Sequence, residues 1–311
     1  MGHLAADGGA LKETLYLLGE IYRTLADHPD FEPEPNLDGV RAPLAKAGLI
    51  ERLGSSSASD LKTPPSDPDW YVPLLGGRGP ASYVSASVEP VVFRSALELA
   101  RARGATANDV ILTALYRTLW RLSDVAPGAQ TPLMFTCELR KHLPPGTKTA
   151  IANISSAAWV SVPPAGTEEF DATLSRVAEA TQAWKRSGAG KGSALGIPII
   201  HKMTRKRGLG FIRKMMSPKE EADPTRGAVL LTNIGVVDAD RLDFGANVAI
   251  ADAWLLAPVS PMGAGLAAST YRDRLHLTAG VEFASMSEEL VNEVLAGTAH
   301  EITGWVASQR G

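Results

Sequence analysis

From Tyr83 to Val306 the apolar residues change their spacing repeatedly, and the order of those changes restricts the fold more than any other feature of the chain. Alternating apolar positions predict strands over 83–88, 132–139, 155–162, 228–234, 248–256, 265–271 and 275–283. A helical period predicts helices over 92–103, 108–122, 168–186, 196–216 and 287–306, the second with Val110, Ile111, Ala114, Leu115, Leu119 and Leu122 on one broad face. Strict strand–helix alternation would give an all-parallel sheet. Here the helices come in pairs, which points to an α/β architecture with a mixed sheet covered by helices. Arg272-Asp273, between the last two strands, reads as a hairpin turn. No repeat of fixed period is present.

Ahead of this region, residues 10–26 place Leu11, Leu15, Leu18, Ile21, Tyr22 and Leu25 at helical spacing, and Asp7 or Gly8 can open that helix. Residues 28–80 are rich in Pro, Ser, Gly and Asp and read as an irregular connection with one short helix near 43–52. The chain has 311 residues, 45% of them hydrophobic, enough to bury a sizeable core in one large or two medium domains. A net charge of −3 excludes a broad basic field, so no nucleic-acid partner is expected. The single cysteine, Cys137, rules out an internal disulfide and fits a reducing cytoplasm. No signal peptide is expected, because no basic and apolar leader pattern precedes a cleavage site, and Ala6 stands where myristoylation needs Ser or Thr. The most apolar stretch, 248–268, holds Asp252, Pro258 and Pro261, so no membrane span is expected. These features together predict a soluble, cytoplasmic protein.

Most local motifs fail on their chemistry. The run around Gly190-Lys191 lacks a phosphate loop's first glycine, where Lys185 stands, and its Ser or Thr, where Gly192 stands. Asp243-Phe244-Gly245 has no catalytic His-Arg-Asp loop to make it a kinase element. Asn153-Ile154-Ser155 is a glycosylation sequon only in an exported chain. Lys202, Arg205, Lys206, Arg207, Arg213 and Lys214 form a basic cluster that reads first as a solvated helix face and second as a dock for a phosphate-bearing partner. His28, His142, His201, His276 and His300 stand singly with no triad spacing. That leaves His3-x-x-x-Asp7-Gly8 at the mouth of the first helix. An imidazole is the natural base for a hydroxyl or amine. Asp7 is placed to hold backbone or an arginine, and a metal site on His3 and Asp7 lacks further ligands.

The segment His3-Leu-Ala-Ala-Asp7-Gly8-Gly9, with the helix that follows it, resembles the His-His-x-x-x-Asp-Gly signature of the chloramphenicol acetyltransferase-like superfamily. That group includes condensation domains of peptide synthetases, alcohol acetyltransferases and wax-ester synthases. Gly2 replaces the first histidine of the pair. Further matches follow in order: Thr106–Leu112 as a helix start, Glu138-Leu139-Arg140 with Asn153 after it, Thr232–Gly235, and Asp243-Phe244-Gly245 without the usual Trp-Gly. The resemblance implies a two-lobed sandwich, each lobe a sheet covered by helices, with an active-site tunnel between the lobes. It implies His3 as general base, Asp7, Gly8 and Arg140 as structural residues of the active site, and Asn153, Asn233 and Asp243 at the tunnel or lobe interface.

By this resemblance residues 1–82 are the remnant of an N-terminal lobe plus a connection, and 83–311 are a complete C-terminal lobe, as in a chain shortened at its N-terminus. The expected activity is acyl transfer (EC 2.3.1 type, where the N-terminal lobe is present) from a thioester to a hydroxyl or amine. The thioester, on coenzyme A or on the phosphopantetheine of an acyl carrier protein, is a co-substrate; no bound cofactor or metal is expected. The alternative is a non-catalytic or truncated condensation-like protein that serves as a binding platform for a carrier or partner. An unrelated α/β binding protein is the third reading.

Overall fold

The computed structural model of the chain describes residues 6–34, 72–123, 125–140, 151, 153–186, 204, 206–207, 210, 226–257, 259 and 263–309. The elements are α1 (Gly8–Asp27), β1 (Val72–Pro73), β2 (Ala81–Val88), α2 (Pro90–Ala102), α3 (Ala107–Ser123), β3 (Pro132–Glu138), β4 (Ser155–Ser161), α4 (Phe170–Arg186), β5 (Arg226–Val237), β6 (Gly263–Tyr271), β7 (Arg274–Glu282) and α5 (Glu288–Ser308). The short helix expected near 43–52 lies outside the described residues. So does the helix expected over 196–216, apart from Thr204, Lys206, Arg207 and Gly210.

The strands form one mixed sheet in the order β2-β7-β6-β5-β3-β4, with β1 paired to the start of β5. The β3–β5 and β5–β6 pairs are parallel, and the others are antiparallel. The β6–β7 hairpin turns through Arg272 (φ 46°) and Asp273 (φ 64°), two successive left-handed residues whose twist suits a two-residue hairpin.

Side-chain alternation then divides the molecule into layers. Leu275, Leu277, Ala279 and Val281 of β7 join the main core with α2, α3, α4 and α5. Within that helical layer Asp109, buried at the start of α3, accepts from Thr106 N (2.8 Å) and from Thr181 Oγ1 on α4 (2.7 Å). One carboxylate thereby caps α3 and ties it to α4.

On the opposite face lies a smaller core built from Tyr16 of α1, Val237, Leu242, Leu255 and Tyr271. Leu11 and Leu15 pack against it, whereas Leu18, Tyr22 and Leu25 of the same helix are exposed. The pairing of β5 with β6 skips Ile234, a bulge closed by Gly235 at φ 76°. The extra residue changes the alternation and lets both Ile234 and Val237 face α1.

One expected strand is absent. Residues 248–257 form no ladder, because β6 already pairs with β5 on one side and with β7 on the other. The segment instead crosses the sheet face, bonded to side chains: Leu255 N donates to Ser269 Oγ (3.3 Å), and Thr278 Oγ1 donates to the Leu255 carbonyl (2.8 Å). Its apolar alternation is that of a chain lying on a sheet, not in one.

Candidate active site

Asp7 organises the site. Its backbone is extended (φ −97°, ψ −176°), and its carboxylate accepts from Ala10 N (2.8 Å), so it is the N-cap of α1. The same buried carboxylate accepts from Ile154 N (2.6 Å) and pairs with Arg140 Nη1 at 2.9 Å. Three groups far apart in sequence, the start of α1, the chain before β4 and the chain after β3, therefore meet at one side chain. Its acceptor positions are filled by N–H donors, which makes it an anchor and not a shuttle for protons.

Arg140 is itself nearly buried and shared. Its Nη1 also lies 2.8 Å from Glu138 Oε2, and its backbone N donates to Glu138 Oε1 (2.9 Å). Gly8 begins α1, where a Cβ would stand 2.9 Å from Ile234 Cγ1, so the helix start rests directly on the bulge of β5.

Beside this junction, at the C-terminal ends of the parallel strands β3 and β5, opens a cavity of about 150 Å³. Asp7, Gly8 and Lys12 line it from α1, and Thr136, Cys137 and Glu138 from β3. Thr232 and Asn233 of β5 and Leu256 of the crossing segment close it. Thr136 Oγ1 and Thr232 Oγ1 are hydrogen-bonded at 2.8 Å, one hydroxyl from each strand. Lys12 Nζ donates to the Val236 carbonyl (3.1 Å), and burial holds its ammonium below the ordinary lysine range, against the opposing pull of Glu138 and Glu13. The chamber is small, polar on its strand side, and holds both a cation and hydroxyl donors.

Of the residues singled out from sequence, Asp7, Gly8 and Arg140 meet here, and Asn233 lines the chamber while its Oδ1 accepts from Gly235 N (3.0 Å). Asn153 precedes the Asp7-bound Ile154, and its Oδ1 accepts from Ser155 N and Oγ. Asp243 does not line this chamber. It lies farther along α1, paired with Arg23, and the Gly245 N–H and then Arg23 hold its carboxyl below the usual range. His3 is outside the described residues, as are Lys202, Arg205, Arg213 and Lys214 of the basic cluster; Lys206 and Arg207 are exposed. Lys12 and Thr136 are lining residues that the sequence reading passed over, and Glu138 entered it only as the first residue of the Glu138-Leu139-Arg140 match. The available signal was that Lys12 falls one helical turn after Gly8, and Glu138 is a charge at the end of an apolar strand. Among the described residues no group of three metal-ligating side chains assembles, and no helix is long and apolar enough to cross a membrane.

No protein-family model matches the sequence, and no curated protein does. Solved structures do match its fold. The chain is similar to polyketide synthase associated protein 5 from Mycobacterium tuberculosis, at 16% identity and a TM-score of 0.61, over 97% of this chain and 72% of that one. It is similar to the TRI3 trichothecene 15-O-acetyltransferase from Fusarium sporotrichioides, at 11% identity and a TM-score of 0.67, over 96% and 64%. It is also similar to the first condensation domain of the CDA synthetase, at 12% identity and a TM-score of 0.59, over 97% and 62%. It thus spans less than two thirds of the latter two. With a mixed sheet of seven strands among its described residues and a helical layer on one face, the chain has the fold of condensation domains and chloramphenicol acetyltransferase-like acyltransferases.

Proposed function

We propose that the protein transfers an acyl group from a thioester to a hydroxyl or amine, with His3 as general base. The observation that carries this reading is the commitment of Asp7. The aspartate of the His3-x-x-x-Asp7-Gly8 pattern is buried, capped onto α1 and paired with Arg140 at the edge of a chamber. A carboxylate so used leaves proton transfer to another group, and His3 stands four residues before it in the chain.

In the proposed step the His3 imidazole takes the acceptor's O–H or N–H proton as the heteroatom bonds to the thioester carbonyl carbon. The tetrahedral intermediate then expels the thiolate, which takes that proton back from the imidazolium as thiol. The hydroxyls of Thr136 and Thr232 and the Lys12 ammonium supply polar contacts for the reacting groups. The thioester arrives as a co-substrate, on coenzyme A or on a carrier protein's phosphopantetheine, and no bound cofactor takes part. The single cysteine suits work in a reducing cytoplasm.

The test is transfer from acyl-coenzyme A or an acylated carrier protein to a panel of alcohols and amines, followed by product mass. Wild type should turn over, and His3→Ala should lose at least about 100-fold in rate with its thermal midpoint unchanged, the usual scale of a general base. Equal turnover by the variant rejects His3 as base. Donor binding without turnover by either protein supports the binding-platform reading instead.

A further inference from the structure

Residues 248–257 form a wall of the chamber through Leu256, yet no ladder hydrogen bond holds them to the sheet. Side chains of β6 and β7 do that work. His276, the third residue of β7 and almost fully buried, places Nε2 2.9 Å from Asp252 Oδ1. The same Oδ1 accepts from Ala253 N at 2.8 Å, which fixes the carboxylate toward the imidazole. The Trp254 ring stacks over His276 at 5.7 Å between centroids. Farther along, Thr278 and Ser269 bracket Leu255 as described above, and Gly280 lets the Ala257 carbonyl approach to where a Cβ would be at 2.5 Å. Leu255 and Ala257 are buried against the sheet, and Leu256 between them lines the chamber.

We propose that 248–257 is a strap clasped by the His276–Asp252 pair, and that this clasp positions Leu256 and so sets the width of the chamber. β7 is paired along both edges and is rigid, whereas the strap is held by discrete side-chain contacts and is the element free to shift locally. His276 is a positioning residue, acting through Leu256 and touching no reacting group. Taking the chamber as the acyl-transfer site, the clasp limits the size of the groups admitted there; the inference rests on the preceding reading for this consequence alone.

Leu230 lines the same chamber from the Thr232 face of β5, whereas Cys137, the only cysteine in the chain, packs into the main core on the other face; in a Cys137→Ser, Leu230→Cys parent, alkylation of the new thiol by N-ethylmaleimide reports the opening without any need for turnover. His276→Ala should speed labelling on the order of tenfold by removing a bonded side-chain pair. Asp252→Ala, a change on the strap itself, should do the same, and the double variant should be no faster than either single one. His276→Gln, which keeps a donor toward Asp252, should stay within about twofold of wild type. Amide exchange should speed in 248–257 and stay unchanged in β6 and α5. Unchanged labelling in both alanine variants, failure of His276→Gln to restore the slow rate, or exchange that speeds across the whole sheet would each overturn the proposal. Loss of transfer with labelling as expected would count against the acyl-transfer reading and leave the clasp standing.

Discussion

Lys12 sits where the requirements of folding and of the site conflict. Its ammonium is partly buried and feels Glu138, Glu13, Arg140 and Arg241, and desolvation outweighs the two carboxylates. Folding therefore disfavours its charged form. Ionised Lys12 costs stability at every pH below its depressed folded value, and the cost fades as pH rises toward 10.5, the ordinary value, above which both states are neutral. Lys12→Met removes the cost and gives up one exposed hydrogen bond to the Val236 carbonyl, worth at most about 1 kcal/mol. The variant should unfold at higher urea than wild type at pH 7, with the gap shrinking toward pH 10.5. Curves that stay parallel across that range would contradict the desolvation account.

Among the elements, α1 shows how far a helix can be read from its sequence. Its anchor at Asp7 does two jobs, and substitution separates them. Asp7→Ser keeps a cap acceptor for Ala10 N but removes the carboxylate that pairs with Arg140 and accepts from Ile154 N, while Glu138 stays paired with Arg140, a loss of about 1–3 kcal/mol. Asp7→Ala loses the cap as well, for about 1 kcal/mol more. Urea unfolding of the two variants beside wild type gives both differences. A serine variant as stable as wild type would show that the ion pair does not anchor the helix. Capping chemistry narrowed the start of α1 to Asp7 or Gly8, of which Asp7 is the cap, and its apolar stripe followed from spacing. That only the Leu11 and Leu15 end of the stripe is covered, while Leu18, Tyr22 and Leu25 are exposed, is a matter of tertiary placement that periodicity does not encode. The same gap explains 248–257, whose alternation is genuine but whose neighbours β6 and β7 are each already paired on both sides. Arg140 could be matched to Asp7 through motif order, whereas Lys12, Thr136 and Glu138 converge only once α1 lies across the ends of β3 and β5.

At the scale of the whole molecule, the sheet, its helical layer and the α1 layer bring three distant chain segments to one chamber, on a fold similar to that of condensation domains and acyltransferases. The sheet was legible because paired helices and clustered strands allow few arrangements, and the hairpin because Arg272-Asp273 sits between two apolar runs. The chamber itself was not, since it exists only where β3, β5, α1 and the strap meet. The central claim is that an imidazole, and not the committed carboxylate of Asp7, takes the proton. The measurement that reaches it most directly is the pH dependence of kcat/KM for acyl transfer, in wild type and His3→Ala. The account predicts a wild-type rate that rises tenfold per pH unit below the imidazole's range, about pH 6.5, and levels off above it, with that inflection lost in the variant. The same inflection in both proteins, or a wild-type rate independent of pH, would contradict it.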